Sequence, residues 1–569
     1  MKRRLIDRLA FLYGEEQADS LASKIEKMLA DFTLRYPDLS GKGAVNRVDE
    51  RDSVLITYGD MVHEEGATPL QSVADFLSET VSETISTVHL LPFYPYSSDD
   101  GFSVIDYQTV DPRLGDWSDV AQIGRNFRLM FDAVVNHISV QSSWFQGFLG
   151  DDPRYRNFFT VVDSSADLSQ VFRPRALPLL TEVDTASGRK QVWTTFSADQ
   201  VDLNYAEPDV LLAVIDTLLF YVGHGAEFIR LDAIAFIWKE YGTTSIHLPQ
   251  THEIIRLMRT VLDMVAPRVA LITETNVPHV DNISYFGDGH NEAQMVYNFS
   301  LPPLTLHAFH TGSAETLSQW AKELTLPSDQ TTFFNFLASH DGIGLTPARG
   351  LLAEEEVQSI ADRVEALGGY VSYKANADGT ESAYELNINF LDALGDPEEP
   401  QENIELQARR FVASQAVMLA LRGVPGIYFH SLFGSRNWTK GVEKTGRSRS
   451  INREKLSVGP LRQELADPGS LRFEVFSRYS RLLDVRRAEP AFHPNGEQMV
   501  LDLNPSLFAV KRVSTDGRSS IYCLQNVSGS RVETWLPLRN LTLHNIIDGA
   551  VVNSNRIEMN PYAVLWLKP

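Results

Sequence analysis

Phe228-Ile229-Arg230-Leu231-Asp232-Ala233 is the stretch of sequence that decides the fold. It begins with apolar, strand-forming residues and then brings an arginine and an aspartate two positions apart. Alternate residues of a strand point the same way, so Arg230 and Asp232 share one face. A charge at the end of a buried strand costs free energy unless it is paired or used. The stretch therefore predicts a buried strand with a working carboxylate at its carboxyl end.

Seven further apolar stretches resemble this one, and all of them alternate with longer helical patterns between about residue 50 and about residue 430. Such alternation is typical of βα units and a parallel sheet. The sequence therefore predicts an α/β protein with a TIM (β/α)8 barrel. The predicted strands are 54–58, 85–91, 129–135, 228–233, 269–273, 294–298, 333–338 and 426–429.

Two long intervals interrupt the barrel pattern. About ninety residues separate the third predicted strand from the fourth, so residues 138–200 are predicted to form an inserted subdomain. The interval 345–400 follows the seventh strand and is a candidate lid, because loops at this end of a barrel build active sites. Residues 490–569 alternate without helical periodicity and predict a C-terminal β domain. Residues 1–137 and 201–489 are predicted to form the barrel together with a helical segment at its N-terminus.

Composition excludes several classes of function. The net charge of −23 argues against a nucleic-acid partner, and any anionic substrate must meet a local basic pocket. Asp7, Arg8, Glu15 and Glu16 interrupt any apolar N-terminal core, so we expect no membrane segment and a cytoplasmic location. The sequence contains no P-loop, dinucleotide-binding or His-Glu-x-x-His motif. We therefore predict no cofactor. No metal is predicted either.

Polar and acidic residues follow the ends of four predicted strands. They lie in Asp132-Ala-Val-Val-Asn-His137, Arg230-Leu-Asp232-Ala, Thr273-Glu-Thr-Asn276 and Ser339-His-Asp-Gly342. Taken alone, each acid is more often a helix cap or half of an ion pair. Parallel barrel strands end at one mouth, however, so these side chains are expected to converge there. Convergence favours catalysis.

Asp232, Glu274 and Asp341 have the chemistry needed for glycosyl transfer with retention of configuration. One carboxylate attacks the anomeric carbon while another protonates the leaving oxygen and later deprotonates the acceptor. We predict Asp232 as the nucleophile, Glu274 as the general acid/base and Asp341 as a carboxylate that stabilises positive charge. Arg230 can keep the nucleophile ionised.

The strand-end motifs together resemble the four sequence regions typical of α-amylase-type enzymes. Within that superfamily, three further segments resemble the sucrose phosphorylase branch: Leu90-Leu-Pro-Phe93 with Ser98-Asp-Asp-Gly-Phe102, Asn298-Phe-Ser-Leu-Pro-Pro-Leu304, and Arg449-Ser-Ile-Asn-Arg453. The resemblance covers nearly the whole chain. It implies an enzyme that passes a glucosyl unit from an α-glucoside to inorganic phosphate by double displacement, giving α-glucose 1-phosphate.

The resemblance also implies roles for individual residues. Asp99, His340 and Arg449 look like ligands of the donor sugar, Phe102 like a packing platform and Gln200 like a neighbour of the donor. His137 and His340 can donate hydrogen bonds to sugar hydroxyls. The complete predicted donor set is Asp99, Phe102, His137, Gln200, Arg230, His340 and Arg449.

The acceptor side departs from the sucrose phosphorylases. Those enzymes usually carry a histidine two residues after the acid/base, where this chain has Asn276, and a Tyr-Gln pair where it has Tyr384-Glu385. With the stretch 243–249, these features look more like the glucosylglycerate phosphorylases of the same branch. Arg175 resembles the arginine that contacts phosphate, and a guanidinium suits that anion. Arg175, Asn276, Tyr384 and Glu385 are thus the predicted acceptor residues.

Other functions remain open from the sequence. One is a phosphorylase acting on sucrose or sucrose 6′-phosphate, and another is an amylase-type α-glucosidase or transglucosidase. A binding protein with an amylase-like barrel is disfavoured because all three carboxylates are present. We expect a monomer or homodimer whose partners are a small glucoside and inorganic phosphate, with no nucleic acid and no membrane.

Overall fold

A computed structural model describes residues 2–41, 47–163, 165–175, 177–375, 381–399, 402–538 and 542–569. Of the predicted lid at 345–400, residues 376–380 and residue 400 lie outside this part of the chain.

Eight parallel strands close into a barrel, which confirms the predicted fold. In chain order they are β1 Val54–Thr57, β2 Thr87–Leu90, β3 Arg128–Ala133, β4 Ala226–Leu231, β5 Ala270–Thr273, β6 Met295–Tyr297, β7 Thr332–Phe336 and β8 Val424–Tyr428. Each predicted strand overlaps an observed one. Most predictions run one or two residues past the carboxyl end, because the apolar residues there already turn into the barrel mouth.

Helices surround the barrel, and several begin with a proline. Pro69, Pro208 and Pro249 each lie in a first turn, where a missing N–H breaks no helical hydrogen bond. The longer outer helices are Pro69–Val81, Pro208–Gly223, Pro249–Val265, Leu301–Thr311, Glu315–Glu323, Glu354–Ala366, Ile404–Ala420, Val458–Ala466 and Leu471–Arg487. Shorter helices are Trp117–Ile123, Ser143–Leu149, His279–Ile283, Phe390–Ala393, Phe429–Leu432 and Thr439–Thr445.

The N-terminal segment forms helices Lys2–Tyr13 and Glu15–Arg35, and it packs on the barrel. Arg8 Nη1 lies 2.6 Å from Glu253 Oε1 of an outer helix, and Arg8 Nε donates to Thr260 Oγ1 at 3.1 Å. The sequence left open whether this segment contacts the barrel or a partner, and these contacts place it on the barrel.

The predicted inserted subdomain lies between β3 and β4. Strands Val161–Val162, Leu180–Thr185 and Gly188–Trp193 form an antiparallel sheet there. At its base, His137–Ser139 pairs with Gln200–Asp202. The predicted limits at 138 and 200 fall inside that pair of strands, and the limits of the three predicted units stay predictions.

Two further regions are the excursion after β7 and the C-terminal region. After β7, strands Ile343–Gly344, Tyr370–Ala375 and Glu381–Asn387 form an antiparallel sheet. The last two strands lie within the predicted lid, and the first ends one residue before it. The C-terminal region is antiparallel β structure, in agreement with the sequence. Its strands are Glu497–Val500, Leu507–Val513, Ser520–Asn526, Val532–Trp535, Leu543–Asn545, Val551–Val552, Arg556–Met559 and Val564–Lys568. No helix in the described ranges has the length and apolarity to cross a membrane.

A buried ion pair ties the inserted segment to the barrel. Lys239 Nζ, beyond β4, lies 2.7 Å from Asp202 Oδ2 and 2.9 Å from Asn136 Oδ1, and it also donates to the Phe236 carbonyl. Asp202 accepts from Thr195 N at 2.8 Å and Thr195 Oγ1 at 2.6 Å. Both charged groups are thus paired and hydrogen-bonded, which is the condition under which a buried ion pair is tolerated.

Removing the cation of this pair should destabilise the fold. In Lys239→Met the carboxylate of Asp202 stays buried without a counter-charge, which should lower the free energy of unfolding by about 3–5 kcal/mol. Urea unfolding followed by circular dichroism measures this loss. The double variant Lys239→Met/Asp202→Asn should recover a large part of it, and a double variant no more stable than the single one would contradict this account.

Candidate active site

One pocket at the barrel mouth gathers the predicted site residues. Its lining includes Asp99, Phe102, His137, Arg175, Gln200, Asp232, Glu274, Asn276, His340, Asp341, Tyr384, Glu385 and Arg449. Arg230 is the one predicted site residue outside the lining. It lies buried behind the carboxylates, with 3% of its side chain exposed.

Arg230 connects carboxylates from three adjacent strand ends. Its Nη1 lies 3.0 Å from Asp232 Oδ1 and also donates to Asp132, its register partner on β3. Its Nη2 lies 3.8 Å from Glu274 Oε2, just beyond β5. His89 on β2 extends the chain, with Nε2 at 2.6 Å from Asp132 Oδ2. The guanidinium therefore holds the acids in fixed relative positions.

The electrostatics of Asp132 follow from these contacts. Burial alone would raise its pKa, but the charge of Arg230 and the contact with His89 outweigh burial and lower the pKa to about 2. Burial lowers the pKa of His89, so that ring is neutral and donates to the carboxylate. Asp132 is thus a permanent anion that anchors Arg230.

Asp232 and Glu274 are in the opposite situation. Burial raises the pKa of both carboxyls, with the charge of Glu274 adding to the effect on Asp232 and that of Asp341 to the effect on Glu274. The pair therefore favours holding a proton. Arg230 lies nearer to Asp232 than to Glu274, which favours the negative charge on Asp232 and the proton on Glu274.

The backbone after β4 is strained beside this pair. Ala233 has φ 48°, in the left-handed region that residues other than glycine seldom adopt. Its N–H donates to Glu274 Oε2 at 3.1 Å. Strain of this kind persists where the surroundings fix a functional geometry.

Asp341 is held by cations. Arg449 Nη1 lies 2.6 Å from Asp341 Oδ1, and Arg453 Nη2 lies 3.6 Å from the same oxygen. Burial would raise the pKa of Asp341, but Arg449 and its neighbours hold it well below the usual range. Arg449 also binds both oxygens of Glu385, at 3.0 and 2.6 Å. One guanidinium thus links Asp341, which follows β7, to Glu385 in the strand Glu381–Asn387.

The remaining donor residues are linked to one another. The rings of Phe102 and His340 stack with centroids 4.7 Å apart and planes 2° apart. Gln200 Nε2 donates to Asp99 Oδ2 at 3.3 Å and to the Phe102 carbonyl at 3.0 Å. His137 Nε2 lies 2.9 Å from that carbonyl, so its ring N–H is engaged within the protein rather than directed at a sugar.

The four predicted acceptor residues all line the pocket. Arg175 Nη2 lies 3.2 Å from Asp99 Oδ2, and 32% of the arginine side chain is exposed. Asn276 packs on Gly344, where an added Cβ would come within 2.7 Å of its amide. Asn276 Oδ1 has no hydrogen-bond partner among the described residues. Burial raises the pKa of Tyr384 to about 12, so its hydroxyl stays protonated.

Sequence reasoning missed several residues of the site. Asp132 and Arg453 lay in motifs that had been quoted, but neither was assigned a role. Arg453 donates to the His340 carbonyl at 2.7 Å and pairs with Asp100. An aromatic wall of Phe172, Phe196, Phe236 and Phe299 also lines the pocket. Phe299 lay in a quoted segment without an assigned role, and the four members are too far apart in the chain to form a recognisable pattern.

Metal chemistry gains no support from the described residues, since none of their His, Cys, Asp and Glu side chains cluster in threes suited to an ion. The expectation of no metal and no cofactor stays a prediction.

Comparisons with known proteins identify the family and support the fold. A family model for the catalytic domain of alpha amylase matches residues 72–348. The glucosylglycerate phosphorylase of Allomeiothermus silvanus is 51% identical over 93% of this chain and 93% of that protein. The sucrose phosphorylase of Bifidobacterium adolescentis is 28% identical, over 76% of this chain and 85% of its own. The crystal structure of sucrose 6F-phosphate phosphorylase from Thermoanaerobacter thermosaccharolyticum matches with a TM-score of 0.75 at 22% identity, covering 91% of this chain and 100% of that one.

Asp132 should make the stability of the fold sensitive to acid. Its pKa of about 2 lies below the value of about 3.9 for an aspartate in an unfolded chain. A lowered pKa contributes stability that is present above the unfolded value and lost as the pH falls through the folded value, about 2–3 kcal/mol here. The free energy of unfolding should fall when the pH is lowered from about 6 to about 2.5. In Asp132→Asn this fall should be about 1–2 kcal/mol smaller than in the unsubstituted chain.

Urea unfolding at the two pH values measures this difference. Asp19→Asn, at an exposed position on an N-terminal helix, is the matched control and should follow the unsubstituted chain. Parallel pH profiles for Asp132→Asn and the unsubstituted chain would show that the ion pair does not carry the acid sensitivity.

Proposed function

Because the chain belongs to the glucosylglycerate phosphorylase family of α-amylase-type enzymes and is a glucoside phosphorylase, we propose that glucosylglycerate is its donor. The products are then glycerate and α-glucose 1-phosphate. The observation that carries this proposal is the 51% identity to the Allomeiothermus glucosylglycerate phosphorylase over 93% of both chains. The departures at Asn276 and at Tyr384-Glu385 from the sucrose phosphorylase pattern point the same way.

In the first half-reaction Asp232 attacks the anomeric carbon of the glucosyl unit. Glu274 gives its proton to the glycosidic oxygen, the bond between that oxygen and the anomeric carbon breaks, and glycerate leaves. The proton placement described above suits these roles, since Arg230 favours an anionic Asp232 beside a protonated Glu274. The result is a β-glucosyl ester on Asp232.

In the second half-reaction a phosphate oxygen attacks the anomeric carbon. Glu274, now ionised, takes the proton of the attacking phosphate hydroxyl, and the ester bond to Asp232 breaks. Two inversions leave the α configuration unchanged. Glu274 regains its proton, so the site returns to its starting state.

Asp341 and Arg449 act on the donor sugar. An anionic Asp341 stabilises the positive charge that develops on the sugar ring in both transition states. Arg449 lies 2.6 Å from Asp341 Oδ1 and keeps that carboxylate ionised and oriented. The stacked rings of Phe102 and His340 offer a flat surface for one face of the glucosyl unit.

The acceptor region must receive two different anions in turn, because glycerate leaves with a carboxylate and phosphate then enters. Arg175 has the charge and the exposure for this alternation. Asn276 adds an amide whose oxygen has no partner among the described residues and can accept from a glycerate hydroxyl. Sucrose, whose fructosyl group carries no charge, makes less use of such a site.

The cytoplasmic location and the monomer or homodimer state stay predictions.

Substrate preference tests the proposal directly. We expect release of glucose 1-phosphate from glucosylglycerate and inorganic phosphate with a kcat/KM at least about a hundredfold above that for sucrose, because a site that pairs a charged group discriminates strongly against a neutral analogue. Coupled detection of glucose 1-phosphate, with free glucose measured in parallel, gives both values. Faster turnover of sucrose would overturn the donor assignment, and phosphate-independent release of glucose would indicate a hydrolase.

Donors with different leaving groups should distinguish the role of Glu274 from that of Asp232. Glu274→Gln should lower phosphorolysis of glucosylglycerate by about 10²–10⁴-fold, because proton donation to the leaving oxygen is lost. With α-glucosyl fluoride, whose leaving group needs little protonation, release of fluoride in a single turnover should fall much less. Asp232→Asn serves as the comparison and should lose both reactions. Equal losses on the two donors in Glu274→Gln would contradict the assigned role.

A further inference from the structure

A second groove opens beside the active-site pocket. Four separate segments form its walls: the segment after β2, the inserted segment, the hairpin after β7 and the segment after β8. The side chains that line both the groove and the pocket are Asp99, Pro174, Arg175, Tyr384, Glu385 and Arg449. Asp232, Glu274 and Asp341 line only the pocket. The groove is therefore continuous with the site but lies outside the reacting atoms.

The groove has more cations than acids. Arg175, Arg449 and Arg453 are each paired with a carboxylate, namely Asp99, Glu385 and Asp100. Three further cations line the groove: Arg173, Lys374 and Arg447. Within the described ranges none of these three lies within ion-pair distance of an acid. We call them the groove cations.

Their placement is unusual for this chain, whose net charge is −23. Arg173 comes from the inserted segment, Lys374 from strand Tyr370–Ala375 and Arg447 from the turn before the 3-10 helix Ser448–Asn452. They are distant in sequence, so the fold rather than a charged run assembles them. Arg173 and Arg447 are exposed, while Lys374 is half-buried.

The surroundings of Lys374 disfavour its positive charge. Burial and the positive charge of Arg349 lower its pKa, and Glu354 offsets only part of that effect. A lysine in such surroundings is stabilised by an anion that arrives from solvent. Local positive potential in an otherwise negative protein also concentrates anions at one place and raises their rate of capture.

We propose that the groove cations form a receiving site for phosphoryl oxyanions, where inorganic phosphate binds before it enters the pocket and through which the phosphorylated sugar product leaves. This inference rests on the phosphorylase reaction proposed above. Arg175 and Arg449 line both cavities, so an anion that leaves the groove for the pocket stays in contact with the same cationic side chains. The site thus increases the local phosphate concentration during the lifetime of the glucosyl ester.

Charge removal at the groove tests the inference. The groove variant carries Arg173→Gln, Lys374→Gln and Arg447→Gln. The control variant carries Arg3→Gln, Lys27→Gln and Arg125→Gln, which remove the same charge from exposed positions elsewhere. At low ionic strength we expect the KM for phosphate to rise about tenfold in the groove variant alone, with the loss on KM rather than on kcat. In about 1 M sodium chloride, where the Debye length is about 3 Å, the two variants should converge.

Direct binding separates failure of this inference from failure of the proposed function. Calorimetry with inorganic phosphate and with glucose 1-phosphate needs no turnover, so it applies even to a protein with no phosphorolysis of glucosylglycerate. Weaker binding of phosphate in the groove variant supports a receiving site, and weaker binding of both ligands supports product release through it as well. Affinities and KM values equal to those of the control variant would overturn the inference.

Discussion

A single buried guanidinium organises the catalytic end of the barrel. Arg230 contacts Asp132 and Asp232 and lies 3.8 Å from Glu274, so carboxylates from three neighbouring strands depend on one positive charge. Burying so many acids together would otherwise cost more free energy than the fold can supply. The rings of Phe102 and Tyr297, 5.7 and 5.5 Å from the guanidinium carbon, keep that group in place. The positions of Asp232 and Glu274 follow from this arrangement.

The sequence predicted the features that are local in the chain. Barrel strands have short apolar runs, and the acids follow them directly, so both the barrel and the approximate position of Asp232, Glu274 and Asp341 could be read from it. Contacts between residues that are distant in the chain could not be predicted from the sequence. The pairing of His89 with Asp132 depends on strand register, and the contact of Arg449 with Glu385 joins two excursions whose course has no periodic signal. The docking of the N-terminal helices likewise became visible only from their ion pair with Glu253.

Charge is divided by depth at this end of the molecule. In the deep part, Arg230, Arg449 and Arg453 are each paired with carboxylates. The acids there differ in pKa: the pKa values of Asp132 and Asp341 are lowered, and those of Asp232 and Glu274 are raised. Toward solvent the matching ends and positive charge is in excess. Under the proposed function, the tuned acids serve sugar chemistry and the unpaired cations serve anion handling, so the two tasks occupy different layers of one opening.

The ion pair of Lys239 with Asp202 has a consequence for how the molecule responds to its surroundings. The cation at the junction between the inserted segment and the barrel is the side chain of Lys239, so it is covalently attached and cannot dissociate from the protein. A dissociable ion at such a place would stabilise the fold by an amount that grows with the logarithm of its free concentration. A tethered ammonium has no such dependence. Dilution, chelators and shifts in the ionic composition of the medium leave this junction as it is.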